Sequence, residues 1–504
     1  MVKKGKDDHM KIILAGYNLD YETIREFQKQ HPEAKNLTPE TISAAYARIS
    51  RSPKSVDELR AIARQEVEKA RQSNRNIVFE MGHSSIAEHA VFNIDVIGVS
   101  RLLVEEIEKF RLCSYTEKSQ RYVLLTDDFV IPDEIRQAGL QEVFTDTIRE
   151  QNRFYHALYE KLKPHVFEKH RALAADPENR SMLEGWAKED ARYTLALATE
   201  TQLGMTINAR NLELMLRRLA AHPLTEAQEC SRKLYDATKD ISPSLIRYTE
   251  ATDYDRLTRK NLKEEMLSLG KERTRKRKSA TAGPGGKKIA LLYATPDADN
   301  RIAAFLIHSS SMLPMSRCLR IANSMTGREK KRLIRTALQH MKSYDPVLRE
   351  FEYVDLYFEL IISASCFAQM KRHRMATITG QDYDPDLGVT VPPAVSAIGM
   401  EKSFMDIVTR TEAVYHQIRK ISPQAASYIL TNAHRRRVAM KINARELYHI
   451  ARLRADRHAQ WDIRETAEQM LRMGKAAMPL TLMLATGKDG FPSLYDQTFA
   501  QTRD

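Results

Sequence analysis

Three stretches of this sequence concentrate side chains that can do chemistry. In "QMKRHRMATITGQDYDP", Gln369 to Pro385, the bases Arg372, His373 and Arg374 follow the apolar run "LIISASCFA". If that run ends as a helix, its C-terminus favours cations, and the planar guanidinium fork suits phosphate. The stretch then turns acidic at Asp382 and Asp384. Each carboxylate would repel a phosphate at 4 Å by about 1–4 kcal/mol in partly screened surroundings. In "FRLCSYTEKSQRY", Phe110 to Tyr122, the polar groups Ser114, Glu117, Ser119 and Arg121 crowd together ahead of "VLL". In "INARELYHIARLR", Arg445 and His449 share a helical face at i, i+4, with Asn443 at the helix start. Cys113 lies inside the second stretch, but no His-plus-acid arrangement is evident to activate it as a nucleophile.

These stretches recur in order, which fixes the elements that must position them. "KIILAGYNLD" and "KIALLYATPD" each read as a buried strand leading into a turn. "INARNLELMLRRL" and "INARELYHIARLR" share their opening and a helical apolar spacing. "FRLCSYTEKSQRYV" and "HRMATITGQDYDPD" occupy one slot in each half. The chain is therefore expected to be a tandem duplication of α+β domains, each a small sheet with many helices: residues 1–268, a linker 269–288, and residues 289–504. "EHAVFNIDVIGV" and "DLYFELIISAS" read as equivalent strands; "SVDELRAIARQEVEKARQ" and "LTEAQECSRKLYDATKD" read as amphipathic helices. "ARELYHIARLRADRHAQWDIRETAEQMLRM" reads as one long helix with Leu447, Ile450, Ala451 and Leu453 inside.

Composition bounds the rest. The 504 residues are 42% hydrophobic, enough for real cores. The four cysteines lie far apart without zinc-type spacing, which argues for a reducing compartment and against a structural metal. The apolar run near the N-terminus is too short for a signal peptide, and no run approaches a membrane span, so a cytoplasmic protein without a membrane partner is expected. Of the net charge of +13, a surplus of +7 falls in "KERTRKRKSATAGPGGKK", residues 271–288. That segment reads as a solvated basic tether, which makes a nucleic-acid partner an unneeded explanation of the charge.

The paired motifs "HSSIAEHAVF" with "KFRLCSYTEKSQRY", and "QMKRHRMAT" with "NARELYHIARLRADRHAQWDIR", resemble the flavin-dependent thymidylate synthases, the ThyX family. The resemblance covers most of both halves. It implies conversion of dUMP to dTMP with FAD, NADPH and methylenetetrahydrofolate. It also implies sites assembled from several subunits, so that a homodimer of this doubled chain would imitate the family's tetramer. Two alternatives stay open: a flavin enzyme acting on another pyrimidine nucleotide, and a non-catalytic nucleotide- or RNA-binding relative.

Carried over by position, the resemblance implies an unequal division. The second half keeps Gln369, Arg372, His373 and Arg374 for nucleotide and flavin, where the first has Glu106, Lys109, Phe110 and Arg111. The first half keeps the dUMP-gripping Glu117, Ser119, Gln120 and Arg121, where the second has Gly380, Asp382, Tyr383 and Asp384. Arg192 of the first half aligns with Ser427, and Arg454 of the second with Leu219, although Arg217 or Arg218 would substitute if the helix shifts. The expected site pools both sets. Arg454 stabilises charge developing on the pyrimidine; Asn443, Arg445 and His449 serve the flavin, with Ser85 or His83 nearby. His449 stands where the family often has Asn or another His.

Overall fold

Strict alternation builds the sheets. In β2 (Val91–Ser100) the side chains of Phe92, Ile94 and Val96 are buried while Asn93 is exposed. The computed structural model describes residues 10–19, 26–27, 29, 38–49, 52, 54–80, 83–121, 123–125, 127–274 and 288–500. β1 (Lys11–Tyr17), β2, β3 (Ser114–Glu117) and β4 (Glu200–Asn208) form an antiparallel sheet in the order β1-β2-β4-β3. β5 (Ile289–Ala294), β6 (Asp355–Ser363), β7 (Thr377–Gly380) and β8 (Arg435–Asn443) repeat it as β5-β6-β8-β7. The register repeats too. Glu117 faces Leu203 in one sheet as Gly380 faces Val438 in the other, and Ser100 faces Glu200 as Ser363 faces Arg435. The copies differ by a bulge. Gly98, at φ 74°, adds one residue to β2 between Ile97 and Val99.

Helices that frame the sheets include, in chain order, α1 (Arg101–Ile107), α2 (Gln141–Lys169), α3 (Ala209–Ala220), α4 (Ala298–Ser309), α5 (Met315–Ser324), α6 (Gly327–Leu338), α7 (Ala364–Met370), α8 (Glu401–Ile421), α9 (Ala444–Arg454) and α10 (Trp461–Ala477). Each strand-to-helix step is capped alike in both copies. Ser100 Oγ accepts from Leu103 N at 3.0 Å, and Ser363 Oγ from Cys366 N at 2.9 Å. Asn208 Oδ1 accepts from Asn211 N at 2.9 Å, and Asn443 Oδ1 from Glu446 N at 2.8 Å. The repeated "INAR" is thus a strand end followed by its N-cap.

The chain divides into two compact units, Met1–Thr281 with Ala394–Thr431, and Ala282–Pro393 with Asn432–Asp504. The segment 394–431 joins the first unit because α8 packs on α2, and equivalent residues meet. Gln151 Nε2 donates to Thr411 Oγ1 at 2.8 Å, Glu150 pairs with Arg410, and Ala196 forms a β-bridge with Thr431. Gly139 and Gly399, at φ 69° and 70°, turn the chain alike ahead of these two helices. These contacts join matching positions of the repeat within the first unit.

Three expectations need correction. The long helix from Ala444 is two, α9 and α10, separated at residues 455–460, where Asp456 accepts the backbone N–H of His458 at 3.0 Å and of Asp489 at 2.9 Å. Leu453 is 45% exposed and lies off the inner stripe of Leu447, Ile450 and Ala451, because six residues past Leu447 a helix has turned to the far side. The helix over "SVDELRAIARQEVEKARQ" likewise breaks, at Glu66, into Val56–Gln65 and Val67–Arg75. Most of the basic tether, residues 275–287, lies outside the described residues, as does Tyr122. Among the described residues no helix is long and apolar enough to cross a membrane. All four cysteines are buried thiols.

Candidate functional site

In the second unit a strand followed by a returning helix joins motifs that are about 80 residues apart. β8 ends at Asn443, and α9 runs back for about 14 Å between Arg445 and Arg454. Its C-terminus meets the loop after α7. There Arg454 Nε donates to His373 Nε2 at 3.1 Å, and an Arg454 terminal nitrogen reaches the Gln369 carbonyl at 3.4 Å. Arginine has no acceptor, so His373 Nε2 holds the lone pair and the ring proton sits on Nδ1. Nδ1 faces Glu446 Oε1 at 3.4 Å. His373 is buried, and burial lowers its pKa from the ordinary value against the raising effect of Glu446. Burial and the Arg454 donor favour the uncharged imidazole, while Glu446, 3.4 Å from Nδ1, opposes them.

His449 stands edge-on to His373, with ring centroids 5.6 Å apart, and burial lowers its pKa as well. Its Nδ1 accepts from Arg452 at 3.1 Å. Arg372 and Arg374 flank His373 with exposed side chains. Asn443 and Arg445 lie at the other end of α9. Asn443 Oδ1 serves the N-cap, while Arg445 donates to Glu352 at 2.6 Å and to the Val347 carbonyl at 3.0 Å. Glu352 lines a cleft of about 540 Å³ with Phe305, His308, Arg349 and Tyr353, in which the Phe305 and Tyr353 rings stack 3.5 Å apart.

The first unit gathers a different set. Arg101, at the start of α1, pairs with Glu117 at the end of β3, and both side chains are buried. Arg121 pairs with Glu189, and Ser119 Oγ accepts from Arg121 N at 3.1 Å. Arg192 is buried close enough to feel Arg121, Arg101 and Glu189; burial above all lowers its pKa. Gln120 is buried beside them in sequence. His83 and Ser85 do not join this group. They precede the N-terminal end of β2, whereas Arg101 follows its C-terminal end, a strand length of about 30 Å away.

Pairs are kept or lost as pairs. His373 and Arg454 correspond to Phe110 and Leu219 in the first copy, both apolar. Arg101 and Glu117 correspond to Ala364 and Gly380, and Arg121 and Glu189 to Asp384 and Gln424. In the second copy Arg436 fills the space that Gly380 leaves. Its guanidinium lies 4.5 Å from the ring centroids of both Phe367 and Tyr383, and a Cβ on Gly380 would come within 3.0 Å of it. Asp384 turns into its own loop, accepting from Asp386 N at 3.0 Å.

Sequence reasoning missed Glu446, Glu189, Arg101 and Arg436. Glu446 had a signal: it sits four and eight residues before Ile450 and Arg454, on their helical face. The described residues with metal-ligand chemistry that come together, Asp456, His458 and Asp489, are engaged as a loop staple, with Asp489 also paired to Arg457 at 2.6 Å.

Comparison with known proteins agrees with the duplication. The family described as thymidylate synthase complementing protein, Thy1, matches residues 34–244 and again 290–480. A UPF0159 protein of Thermoplasma acidophilum is 24% identical over 448 residues, covering 80% of this chain and 86% of its own length. Flavin-dependent thymidylate synthases align with one copy's length. That of Clostridium tetani is 28% identical over 215 residues, 42% of this chain and 82% of its own. That of Pyrococcus furiosus is 32% identical over 177 residues, 34% of this chain and 64% of its own. With two matched regions that together span most of its length, the chain belongs to the Thy1, or ThyX, family as a tandem form.

Proposed function

We propose that this chain is a flavin-dependent thymidylate synthase that converts dUMP to dTMP with methylenetetrahydrofolate and NADPH. The observation that carries the reading is the hydrogen bond that buried His373 accepts from Arg454, a cation at the end of a motif-bearing helix. Methylation of uracil at C5 needs negative charge to be stabilised on the ring while C5 becomes nucleophilic. A preorganised guanidinium does this without losing its proton. His373 holds Arg454 in place by accepting its Nε–H.

The residues present fit a flavin nucleotide. Gln369 Oε1 is buried without a hydrogen-bond partner among the described residues, beside the cationic Arg372 and Arg374. These three, with His373 and His449, would hold FAD, and the Glu352 cleft that Arg445 borders adds an aromatic wall within the same unit. FAD, when bound, supplies the hydride chemistry. Arg121 and Arg192 would hold the dUMP phosphate, with Glu117, Ser119 and Gln120 orienting the sugar and base. His83 and Ser85 drop to a subordinate place in this reading because of their distance from that set.

The pooling of the two sets into one site is supported by the way each copy has lost its partners pairwise. Two chains would then supply two working sites, as a homodimer. The test is direct. Purified protein is expected to be yellow, to oxidise NADPH faster when dUMP is added, and to form dTMP from dUMP and methylenetetrahydrofolate. Colourless protein that makes no dTMP with added FAD would overturn the assignment. Light scattering at the mass of a dimer checks the assembly; a monomer with full activity would refute it.

A further inference from the structure

We infer that the helices α5 and α6 of the second unit form a binding face for a single-stranded polynucleotide. Residues 301–342 carry nine Lys/Arg against one acid, Glu329. That surplus and the one at residues 271–288 account for all of the net +13 and leave the rest of the chain close to neutral. The acid is already committed: Glu329 accepts from Thr326 N at 2.7 Å and Thr326 Oγ1 at 2.9 Å in a capping box.

On α6, Arg328, Lys331, Arg332 and Arg335 fall at i, i+3, i+4 and i+7, a single stripe. On α5, Arg317 and Arg320 add two more at i, i+3. Arg317, Arg320, Arg328, Lys331 and Arg332 are exposed, and among the described residues none of the five is in an ion pair. Both helices rest on α4, where Cys318, Ala322 and Leu333 pack against Ala303 and Ala304. The face is therefore held rigid rather than spread on a loop.

Two comparisons narrow the partner. The helices in the same slot of the first copy, within residues 56–75, carry five Lys/Arg and four Asp/Glu, and they pair among themselves, as in Lys69–Glu66 at 2.7 Å and Arg71–Glu68 at 2.6 Å. The second copy has dropped all of these acids but Glu329, which leaves cations facing solvent. The apolar side of α6, Ile334 and Leu338, is consumed by the core, so α6 presents no apolar face to lipid. Phosphate charge is left as the attraction. Just past the stripe, Tyr344 is 70% exposed while its carbonyl is pinned by Arg452 at 2.8 Å. An exposed ring on an anchored backbone, nine residues past Arg335 in sequence, offers a stacking surface for unpaired bases.

The test is fluorescence anisotropy of the full chain with labelled 20-mer oligouridylate between 50 and 200 mM salt. If about six phosphates are neutralised, log K falls against log salt with a slope of about −4, at about −0.7 per phosphate for single strands. The triple variant R328E/K331E/R332E should lose at least about tenfold in affinity at the low-salt end and shrink the slope by about 2. Its melting midpoint and dTMP-forming activity should be unchanged. If that variant fails to fold, R317Q/R320Q on α5 should shrink the slope by about 1. Unchanged affinity in a folded variant would overturn the proposal and assign any binding to residues 271–288. So would tighter binding of a poly-glutamate peptide or of anionic vesicles than of the oligonucleotide.

Discussion

Replacing His373 by leucine removes the acceptor at 3.1 Å from Arg454 Nε and keeps an apolar group of similar size in a buried position. A hydrogen bond to a charged group contributes about 1.5–3 kcal/mol. If Arg454 acts on the uracil ring and His373 fixes its orientation, dTMP formation should fall by about 10- to 150-fold, at a factor of ten per 1.36 kcal/mol. His373→Gln should recover most of the loss, because its side-chain carbonyl reaches the place of Nε2. The pH profile separates orientation from folding. Burial lowers the His373 pKa, so the acid limb of kcat should lie below the ordinary histidine value of about 6.5. Protonated imidazole cannot accept from Arg454, and activity falls there. The stability linkage has the same sign: neutral His373 stabilises the fold above about pH 6.5, and that contribution is lost as the pH falls through its lowered value. The assay is steady-state dTMP formation from pH 5 to 8, with a thermal melt as the control. A leucine variant within threefold of wild type, or a glutamine variant with the same acid limb, would refute the reasoning.

Glu226 is buried, accepting from Ser100 N, Ser100 Oγ and Tyr428, and burial raises its pKa despite those donors. Its contribution is present below its unfolded value of about 4.5 and fades as the pH rises through the raised one, so Glu226→Gln should flatten the stability profile above that point, measured by urea unfolding. Gly487→Ala would bring a Cβ within 2.0 Å of the Ala455 carbonyl oxygen, at the turn that separates α9 from α10. It should lower stability by about 1–3 kcal/mol or more and weaken the Arg454 arrangement with it, read as a lowered melting midpoint and reduced activity together. Arg436→Ala removes a guanidinium set between two rings and should cost about 2 kcal/mol in urea unfolding while leaving the dUMP affinity intact.

What the sequence made legible was what periodicity and repetition encode. Four of the eight strands, β1, β2, β5 and β6, show in their apolar patterns, and the "INAR" and basic motifs mark equivalent slots, so the doubled α+β plan could be read directly, while β3, β4, β7 and β8 were not read as strands. Irregular features hid. The bulge at Gly98 changes no hydrophobic pattern that a short window can see, and the break between α9 and α10 depends on Asp456 accepting from Asp489, a contact 33 residues away. The site was legible as residue types but not as partnerships. Glu189, Arg101 and Glu446 are ordinary helical charges until the fold sets them against Arg121, Glu117 and His373. Arg436 was invisible for the same reason: only the packed structure shows a cation filling the room left by a glycine.

The central claim is that the two unequal copies of a single chain supply one working site, with Arg121 and Arg454 of that site drawn from the same chain, and mixing two damaged chains tests it most directly. Chains carrying Arg121→Ala and chains carrying Arg454→Ala are each assayed for dTMP, then mixed, denatured, refolded together and assayed again. The account predicts that each variant alone is nearly inactive and that the mixture gains nothing, because no single chain keeps both groups. Recovery of activity in the mixture, or an Arg121→Ala chain that works on its own, would contradict it.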